Sequence, residues 1–329
     1  MRSPLICAFV CTFGGALLAG CHRPQILATT GEYTRLVGAY RGRVYWVDNA
    51  EGSLSFIDDD LERPSSIQSR DMWPVRDNWA PEANWPARGN FAADASGIYF
   101  SDHEQMRQLT VRDNTEKLIW GQRTGDDLSG AATDGDCVDA LHADADCHDQ
   151  GRIVAFAKRT GHTCTGRPVP ANGQRPQEFR MDADYFYWID GWCSEERPPR
   201  RGVVKAAPRR AGSAVIVAAA DPAGPHDLAI GARGLYWLVQ GEIHFVSKGT
   251  FGTPTTLVGG GVDSLAVDRE AVFYAAADGV YWLSAGVSEP RRIARAQRPT
   301  GLVADDRWLY WAIAGTETDM RIVHMRRPD

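Results

Sequence analysis

The feature that most constrains the fold of this chain is an internal repeat of short apolar segments. Near the C-terminus the sequence reads SLAVDREAVFY and then GLVADDRWLYW, and related segments upstream read DLAIGARGLYW, EFRMDADYFYW and NFAADASGIYF. Each is an apolar strand ending at Asp or Gly, followed four positions later by an apolar residue and an aromatic pair. Seven instances align without gaps on this anchor position: Tyr40, Asp94, Asp134, Asp182, Gly231, Asp268 and Asp305.

The spacing of the anchors indicates the architecture. Successive anchors are 54, 40, 48, 49, 37 and 37 residues apart, and the shortest spacing suits one four-stranded propeller blade with tight turns. In the sixth repeat the pattern predicts strands at residues 264–267, 271–276, 280–284 and 291–294. We therefore predict an all-β fold, a seven-bladed β-propeller of four-stranded antiparallel blades.

The last repeat lacks a fourth strand. After Asp305 the pattern predicts strands at residues 308–313 and 321–325, and the sequence then reaches Asp329. Residues 25–28 precede the first repeat and belong to no blade of their own. We predict that this N-terminal strand completes the last blade, because closing the ring leaves only short blade edges exposed.

A second motif overlaps the repeat. Residues 45–48 read Tyr-Trp-Val-Asp and residues 187–190 read Tyr-Trp-Ile-Asp, with a near match at residues 99–102. The string resembles that of the YWTD propellers of lipoprotein-receptor ectodomains and related bacterial propeller lipoproteins. The resemblance implies that the aromatic pair packs between blades and that the domain binds proteins. That family usually has six blades, so a six-bladed ring is the alternative; the Thr is never present here, and blade three has Val138-Asp139-Ala140 in place of the aromatic residues.

The N-terminus has the form of a secretory signal. Arg2 precedes an apolar stretch over residues 5–18, which is too short to span a membrane. The ending Leu18-Ala19-Gly20-Cys21 resembles the lipobox of bacterial lipoproteins. The resemblance implies a signal peptide at residues 1–20, acylation of Cys21, a lipidated tether at residues 21–24 and one propeller domain over residues 25–329. An ordinary secretory signal is the alternative. Because His22, not Asp, follows the cysteine, we expect an outer-membrane lipoprotein facing the periplasm or the surface.

Seven cysteines occur in the chain. Cys7 and Cys11 belong to the signal and Cys21 to the anchor. The remaining four cysteines are an even number, and the protein is predicted to be exported to an oxidising compartment. Both observations favour disulfides over free thiols. Three pairings of these candidates are open: Cys137, Cys147, Cys164 and Cys193.

Four insertions are predicted on one face of the propeller, at about residues 71–88, 142–151, 167–177 and 191–202. Ligand sites concentrate on variable loops held by a rigid scaffold, so we expect this face to bind. Trp73, Trp79 and Trp85 lie in the first insertion and Trp192 in the fourth, and exposed tryptophans are typical binding anchors. The alternative is that these side chains fold back as a lid over the propeller.

Five residues before each anchor, the alignment places a largely polar ring at the mouth of the central channel. Its members are Arg35, Gly89, Ser129, Gln177, His226, Asp263 and Thr300. We single out Arg35, Gln177, His226 and Asp263 as candidate binding residues. The alternative is an ordinary solvated channel mouth.

The sequence offers two candidate metal sites. Asp144, Asp146 and Asp149 supply hard oxygen donors that suit Ca²⁺, although their spacing departs from the EF-hand pattern and a solvated acidic loop is the alternative. A zinc set of Cys137, His142, Cys147 and His148 competes with disulfide formation. No other cofactor is expected. The recurring anchor Asp is interpreted as a turn residue whose carboxylate accepts backbone N–H groups.

Charge and motifs exclude several functions. The net charge of −6 is spread along the sequence without a basic stripe, so we expect no nucleic-acid partner. The sequence contains no nucleophile elbow, zinc-protease helix, phosphate-binding loop or dinucleotide fingerprint. The leading hypothesis is a monomeric, membrane-anchored binding or scaffold lipoprotein that recognises an envelope protein or glycan through the insertion-bearing face. The alternative is a channel-centred, metal-dependent hydrolase or lactonase-like enzyme using His226 and Asp263, so enzymatic activity is left open.

Overall fold

The computed structural model describes residues 23–30, 34–48, 53–58, 65–67, 91–102, 105–110, 115–121, 126–144, 151–164, 169–170, 176–190, 202–209, 216–221, 224–269, 271–284, 289–315 and 319–328. Within these ranges the secondary structure is all β. A search of the same ranges finds no helix of the length and apolar character needed to cross a bilayer.

The strands form seven antiparallel sheets of four strands each, arranged as a seven-bladed β-propeller. The prediction of seven blades is confirmed, and the six-bladed alternative is wrong. Blade one contains β2 (Thr34–Tyr40), β3 (Arg43–Asp48), β4 (Ser53–Asp58) and β5 (Ser65–Ile67). Blade two contains β6 (Phe91–Asp94), β7 (Gly97–Asp102), β8 (Gln105–Leu109) and β9 (Glu116–Gly121). Blade three contains β10 (Asp126–Asp134), β11 (Cys137–Asp144), β12 (Arg152–Ala157) and β13 (Val169–Pro170).

The second half of the ring follows the same order. Blade four contains β14 (Pro176–Met181), β15 (Tyr185–Asp190), β16 (Gly202–Pro208) and β17 (Ile216–Asp221). Blade five contains β18 (His226–Ile230), β19 (Gly234–Val239), β20 (Glu242–Ser247) and β21 (Thr255–Val258). Blade six contains β22 (Val262–Asp268), β23 (Ala271–Ala276), β24 (Gly279–Leu283) and β25 (Arg291–Arg295). Blade seven contains β26 (Thr300–Ala304), β27 (Trp308–Ala314), β28 (Met320–Arg326) and β1 (Gln25–Thr30).

The N-terminal strand closes the ring, as predicted. β1 is antiparallel to β28, with Gln25 opposite His324 and Thr30 opposite Met320. Ala28 is buried by this pairing, whereas Ile26 on the same strand is 58% exposed. The first and last described segments of the chain therefore share one sheet.

Aromatic side chains from the second strands of six blades, all but blade three, fill the spaces between blades. Tyr187 of blade four shares one buried cluster with Trp237 of blade five, and Tyr310 of blade seven shares another with Trp46 of blade one. Burial of such large side chains is the main favourable contribution to folding. The aromatic repeat is therefore the element that joins neighbouring blades.

The two faces of the ring differ in their connections. Turns of two or three residues join the first and second strands of every blade and lie on one face, here called the turn face. Strand alternation places the connections from second to third strands, and those between blades, on the opposite face, here called the loop face. Connections between third and fourth strands also lie on the turn face, and the longest of them covers residues 158–168. At the loop face the longest connection covers residues 68–90, and residues 145–151 and 191–201 also join strand ends there. Three predicted insertions were wrong in part. Residues 142–151 begin within β11, residues 191–202 end at the first residue of β16, and residues 167–177 contain β13 and the start of β14.

Candidate functional site

Several predicted site residues lie outside the described ranges. These are Cys21, Trp73, Trp79, Trp85, Asp146, Cys147, Asp149, Trp192 and Cys193. Three others lie on strands: Arg35 in β2, Asp144 at the end of β11 and Gln177 in β14.

His226 and Asp263 are exposed near the starts of β18 and β22, at the loop-face end of the first strands. No group of three or more His, Cys, Asp or Glu side chains close enough to hold a metal ion occurs in the described part of the chain. Among those residues, neither side chain therefore belongs to a metal-ligand set.

A register irregularity follows the predicted ring position in most first strands. It lies between Gln177 and Arg180 in blade four and between His226 and Ala229 in blade five. The next residues, Glu178 and Asp227, have φ of 55° and 56°. This left-handed region costs an L-residue roughly 1–2 kcal/mol, so a compensating interaction is expected.

Glu178 supplies that interaction. Its carboxylate accepts the backbone N–H groups of Asp227 at 2.9 Å and Leu228 at 2.5 Å, which joins blade four to blade five. Burial, with a further contribution from the Asp227 carboxylate, raises the pKa of Glu178 above its ordinary value. A similar side-chain link, with one hydrogen bond in place of two, joins blades six and seven, where the Ser264 hydroxyl accepts the N–H of Leu302 at 3.2 Å.

A central cavity of 310 Å³ lies beside these residues. First strands of six blades line it, mostly with small or apolar residues such as Gly38, Ala266 and Leu302. Arg180 and Asp227 are the ionisable residues that line it, and Arg180 donates to the carbonyl of Phe179 at 2.9 Å. The cavity can hold water or a small polar molecule.

The sequence alignment missed Glu178, Arg180 and Asp227. It assumed regular strands and selected the residue just before each irregularity, so these three charged positions were not among the candidates. Gly130 and Gly301 occupy the equivalent left-handed positions in blades three and seven. These glycines were the available signal that each first strand departs from regular geometry there.

On the turn face, the anchor carboxylates of Asp94, Asp182 and Asp305 accept backbone N–H groups of their own turns, as predicted. Asp182 accepts the N–H groups of Asp184 and Tyr185, each at 2.9 Å, and its second oxygen lies 3.0 Å from the Tyr187 hydroxyl, which donates to it. Lys248 of the next blade pairs with the same oxygen. Although burial opposes ionisation, the bonds from Lys248 and the two N–H groups lower the pKa of Asp182.

Blade three departs from the pattern at Asp139, which replaces the aromatic residue of the other blades. The side chain is 6% exposed, and burial raises its pKa to about 6. The cations Arg209 and Lys158 oppose this rise, and the Asp134 carboxylate adds to it.

One disulfide joins Cys137 to Cys164, with a Cα–Cα distance of 6.5 Å. The expectation of a disulfide is confirmed for this pair. The bond removes Cys137 from the zinc set considered from sequence.

No protein-family model and no curated protein matches the sequence. Several solved structures share its fold. An oligogalacturonate lyase from Vibrio parahaemolyticus is 6% identical, with a TM-score of 0.59 over 94% of this chain and 97% of that one. An oligogalacturonate lyase in complex with manganese is 9% identical, with a TM-score of 0.60 over 93% of each chain. The β-propeller domain of the Trilobed protease from Pyrococcus furiosus is 9% identical, with a TM-score of 0.57 over 90% of this chain and 96% of that one.

At such low identity these likenesses establish the propeller fold alone. One of these proteins is in complex with manganese, and the described residues of this chain do not fit a metal ion because they bring no three His, Cys, Asp or Glu side chains together.

Proposed function

We propose that this protein is a membrane-anchored lipoprotein whose propeller binds an envelope protein or a glycan through its loop face. The observation that carries the proposal is the difference between the two faces. The turns between first and second strands are short and are fixed on the turn face by inter-blade hydrogen bonds and ion pairs, whereas the longest connection, residues 68–90, joins strand ends at the loop face. A rigid scaffold with long connections on one face is the usual arrangement of a binding protein.

The tryptophan-rich connection between β5 and β6 supplies the candidate anchors. Trp73, Trp79 and Trp85 combine large contact area with a polar N–H group, the combination that is enriched at the centres of protein interfaces. Trp192, between β15 and β16, joins strands that end at the same face.

The test replaces Trp73, Trp79 and Trp85 by Ala and compares partner capture from envelope extract and from a glycan array. We expect the variant to fold and to lose the partners that the unaltered protein retains. The matched control replaces Asp136 and Asp184, both exposed in turns of the turn face, by Ala. Unchanged capture by the tryptophan variant, or equal loss by the control, would contradict binding at the loop face.

The anchor is tested separately. Mass spectrometry of the N-terminal peptide should show a chain that begins at Cys21 and carries acyl groups, and Cys21→Ser should release the protein from the membrane fraction. A mature chain beginning elsewhere without acyl groups would replace the proposed lipoprotein by an ordinary exported protein.

The fold that this chain shares with the oligogalacturonate lyases supports the enzymatic alternative. Metal analysis of the purified protein decides it: a stoichiometric ion that is lost in His226→Ala and Asp263→Ala variants would favour the metal-dependent enzyme over the binding protein. Calcium binding by Asp144, Asp146 and Asp149 stays a prediction, which a calcium-dependent rise in Tm would support.

A further inference from the structure

Exposed arginines recur in the turns of four consecutive blades. Between the first and second strands, blades five, six, seven and one carry Arg233, Arg269, Arg307 and Arg41. The corresponding turns of blades two, three and four contain no Lys or Arg. Arg326, exposed at the end of β28, adds a fifth cation on the same face. These five residues are here called the basic arc.

The turns of the arc contact one another around the ring. Ala232 donates its N–H to the carbonyl of Arg269 at 2.5 Å, which joins blades five and six. Arg327 pairs with Asp268 at 2.5 Å between blades seven and six, and the N–H of Gly42 donates to Asp305 at 2.6 Å between blades one and seven. The carboxylates of Asp268 and Asp305 are thus used within the ring. Among the described residues, no carboxylate lies within ion-pair distance of the five arc arginines.

Turn geometry does not account for the arginines. Arg41 and Arg269 have φ of 51° and 45°, the left-handed region where glycine is favoured. Arg41 gains a contact with the ring of Tyr40, at 5.3 Å from its centroid, and remains exposed. A long cationic side chain at such a position points to a role outside folding.

The N-terminus leaves the ring at the same face. Gln25 lies opposite His324, two residues before Arg326, and the chain preceding Gln25 continues in the direction of the turn face. Cys21 lies four residues before Gln25, and an extended segment of that length spans at most about 14 Å. An anchor at Cys21 would therefore hold this face close to the bilayer.

We propose that the basic arc docks on the anionic phospholipid headgroups of the membrane that holds the anchor, so that the loop face points away from the bilayer. This proposal rests on the lipid anchor of the proposed function. Guanidinium groups bind phosphate oxygens through two parallel hydrogen bonds. The remainder of an acidic chain is repelled by the same surface, which favours one orientation.

The test uses the protein as purified, reconstituted in phosphatidylcholine vesicles with or without phosphatidylglycerol. Phenylglyoxal modification of each arginine is read by peptide mass spectrometry. We expect Arg233, Arg269 and Arg307 to lose reactivity when phosphatidylglycerol is present and to regain it in high salt, which screens surface charge. Arg298, exposed on the loop face of the same sector and likewise at positive φ, is the internal control and should stay reactive.

A variant with Gln at positions 233, 269 and 307 tests whether these arginines cause the protection of the arc on anionic vesicles. Each arginine near an anionic surface strengthens binding to that surface roughly fivefold. Loss of the three arginines should therefore weaken binding on the order of 100-fold. Arg41 and Arg326 should then become as reactive as they are on phosphatidylcholine. The charge-matched control places Gln at the loop-face positions 152, 295 and 298 and should leave protection of the arc intact.

The outcomes separate the two proposals. Equal reactivity on both vesicles, or protection of Arg298 instead of the arc, would overturn the docking surface, as would a gel shift of a DNA fragment without protection on vesicles. An N-terminal peptide without acyl groups would overturn the anchor. The variant with Gln at positions 233, 269 and 307 should retain the Tm of the unaltered protein, so that its loss of protection is assigned to charge and not to unfolding.

Discussion

The Nζ atom of Lys248 in blade five lies 2.7 Å from the Oδ2 atom of Asp182 in blade four. The same relationship recurs around the ring, where a cation just after the third strand of one blade pairs with the anchor carboxylate of the preceding blade. The other pairs are Lys158 with Asp94, Arg209 with Asp134, and Arg327 with Asp268. At Asp94 and Asp182 the anchor therefore closes its own turn with one oxygen and couples two blades with the other.

Asp182→Ala should destabilise the protein by about 2 kcal/mol. The substitution leaves the N–H groups of Asp184 and Tyr185 without their acceptor and Lys248 without its partner, and each such loss costs on the order of 1 kcal/mol or more. Urea denaturation measures the change. Asp184→Ala, in the same turn but exposed, is the control and should change stability by less than about 0.5 kcal/mol.

The anchors also predict how acid affects stability. Despite the opposing effect of burial, hydrogen bonds from Lys158, Thr133 and Ser96 hold the pKa of Asp94 well below its ordinary value of 3.8. Because the folded-state pKa is depressed, the stabilisation is present above pH 3.8 and is lost as the pH falls towards the folded-state pKa. Tm measured on an acid series should fall less steeply for Asp94→Asn than for the unaltered protein. Parallel curves would show that this carboxylate is not coupled to folding.

Asp139 should make the stability of the protein depend on pH in the opposite direction. Burial raises its pKa to about 6 from 3.8, so the folded protein holds a proton that the unfolded chain has released. The contribution of Asp139 to the stability of the protein is therefore most favourable below pH 3.8 and is lost as the pH rises through 6. At neutral pH the cost is on the order of 2–3 kcal/mol, and Asp139→Asn should recover much of it at pH 8 and little at pH 4. Asp136→Asn, exposed in the adjacent turn, should change stability little at either pH.

The sequence predicted the fold well because its signal is repeated. Anchors such as Asp182 and Asp305, each followed by an apolar residue and an aromatic pair, specify strand, turn and strand in every copy. Closure by β1 was predictable because the last repeat lacked one strand. Periodicity alone could determine both features.

The candidate site was less predictable, because it depends on departures from the repeat. The bulges that place Glu178 and Asp227 beside the channel shift side-chain direction by one residue, which an alignment of regular strands does not show. The basic arc was missed for another reason. Arg41 and Arg233 are distant in sequence, and only the circular arrangement of blades places them on one face of the same sector.

The disulfide should contribute a large part of the stability of blade three. Cys137 and Cys164 are 27 residues apart, and closing a loop of that length restricts the unfolded chain by about 3.5 kcal/mol in the chain-entropy description. Replacing both by Ala should lower the free energy of unfolding by roughly that amount. Reducing agent should lower the stability of the unaltered protein but not that of a variant lacking all disulfides. Peptide mapping that finds Cys137 joined to Cys147 or Cys193 would contradict the assigned pair.

Closure of the ring can be tested on β1 itself, because the strand holds one buried and one exposed side chain on either side of a register irregularity between Ile26 and Ala28. Ala28 is buried in a cluster with Leu36, Tyr310 and Ile322, which belong to blades one and seven, whereas Ile26 is exposed. Ala28→Asp introduces an unpaired charge into that cluster and should destabilise the protein by about 3 kcal/mol or more. Ile26→Asp introduces the same charge on the same strand and should change stability by less than about 0.5 kcal/mol. Chemical denaturation of both variants measures the difference, and hydrogen exchange should show that Ala28→Asp exposes the amides of β28 before those of the other blades. Equal effects of the two substitutions would mean that β1 does not close blade seven in solution.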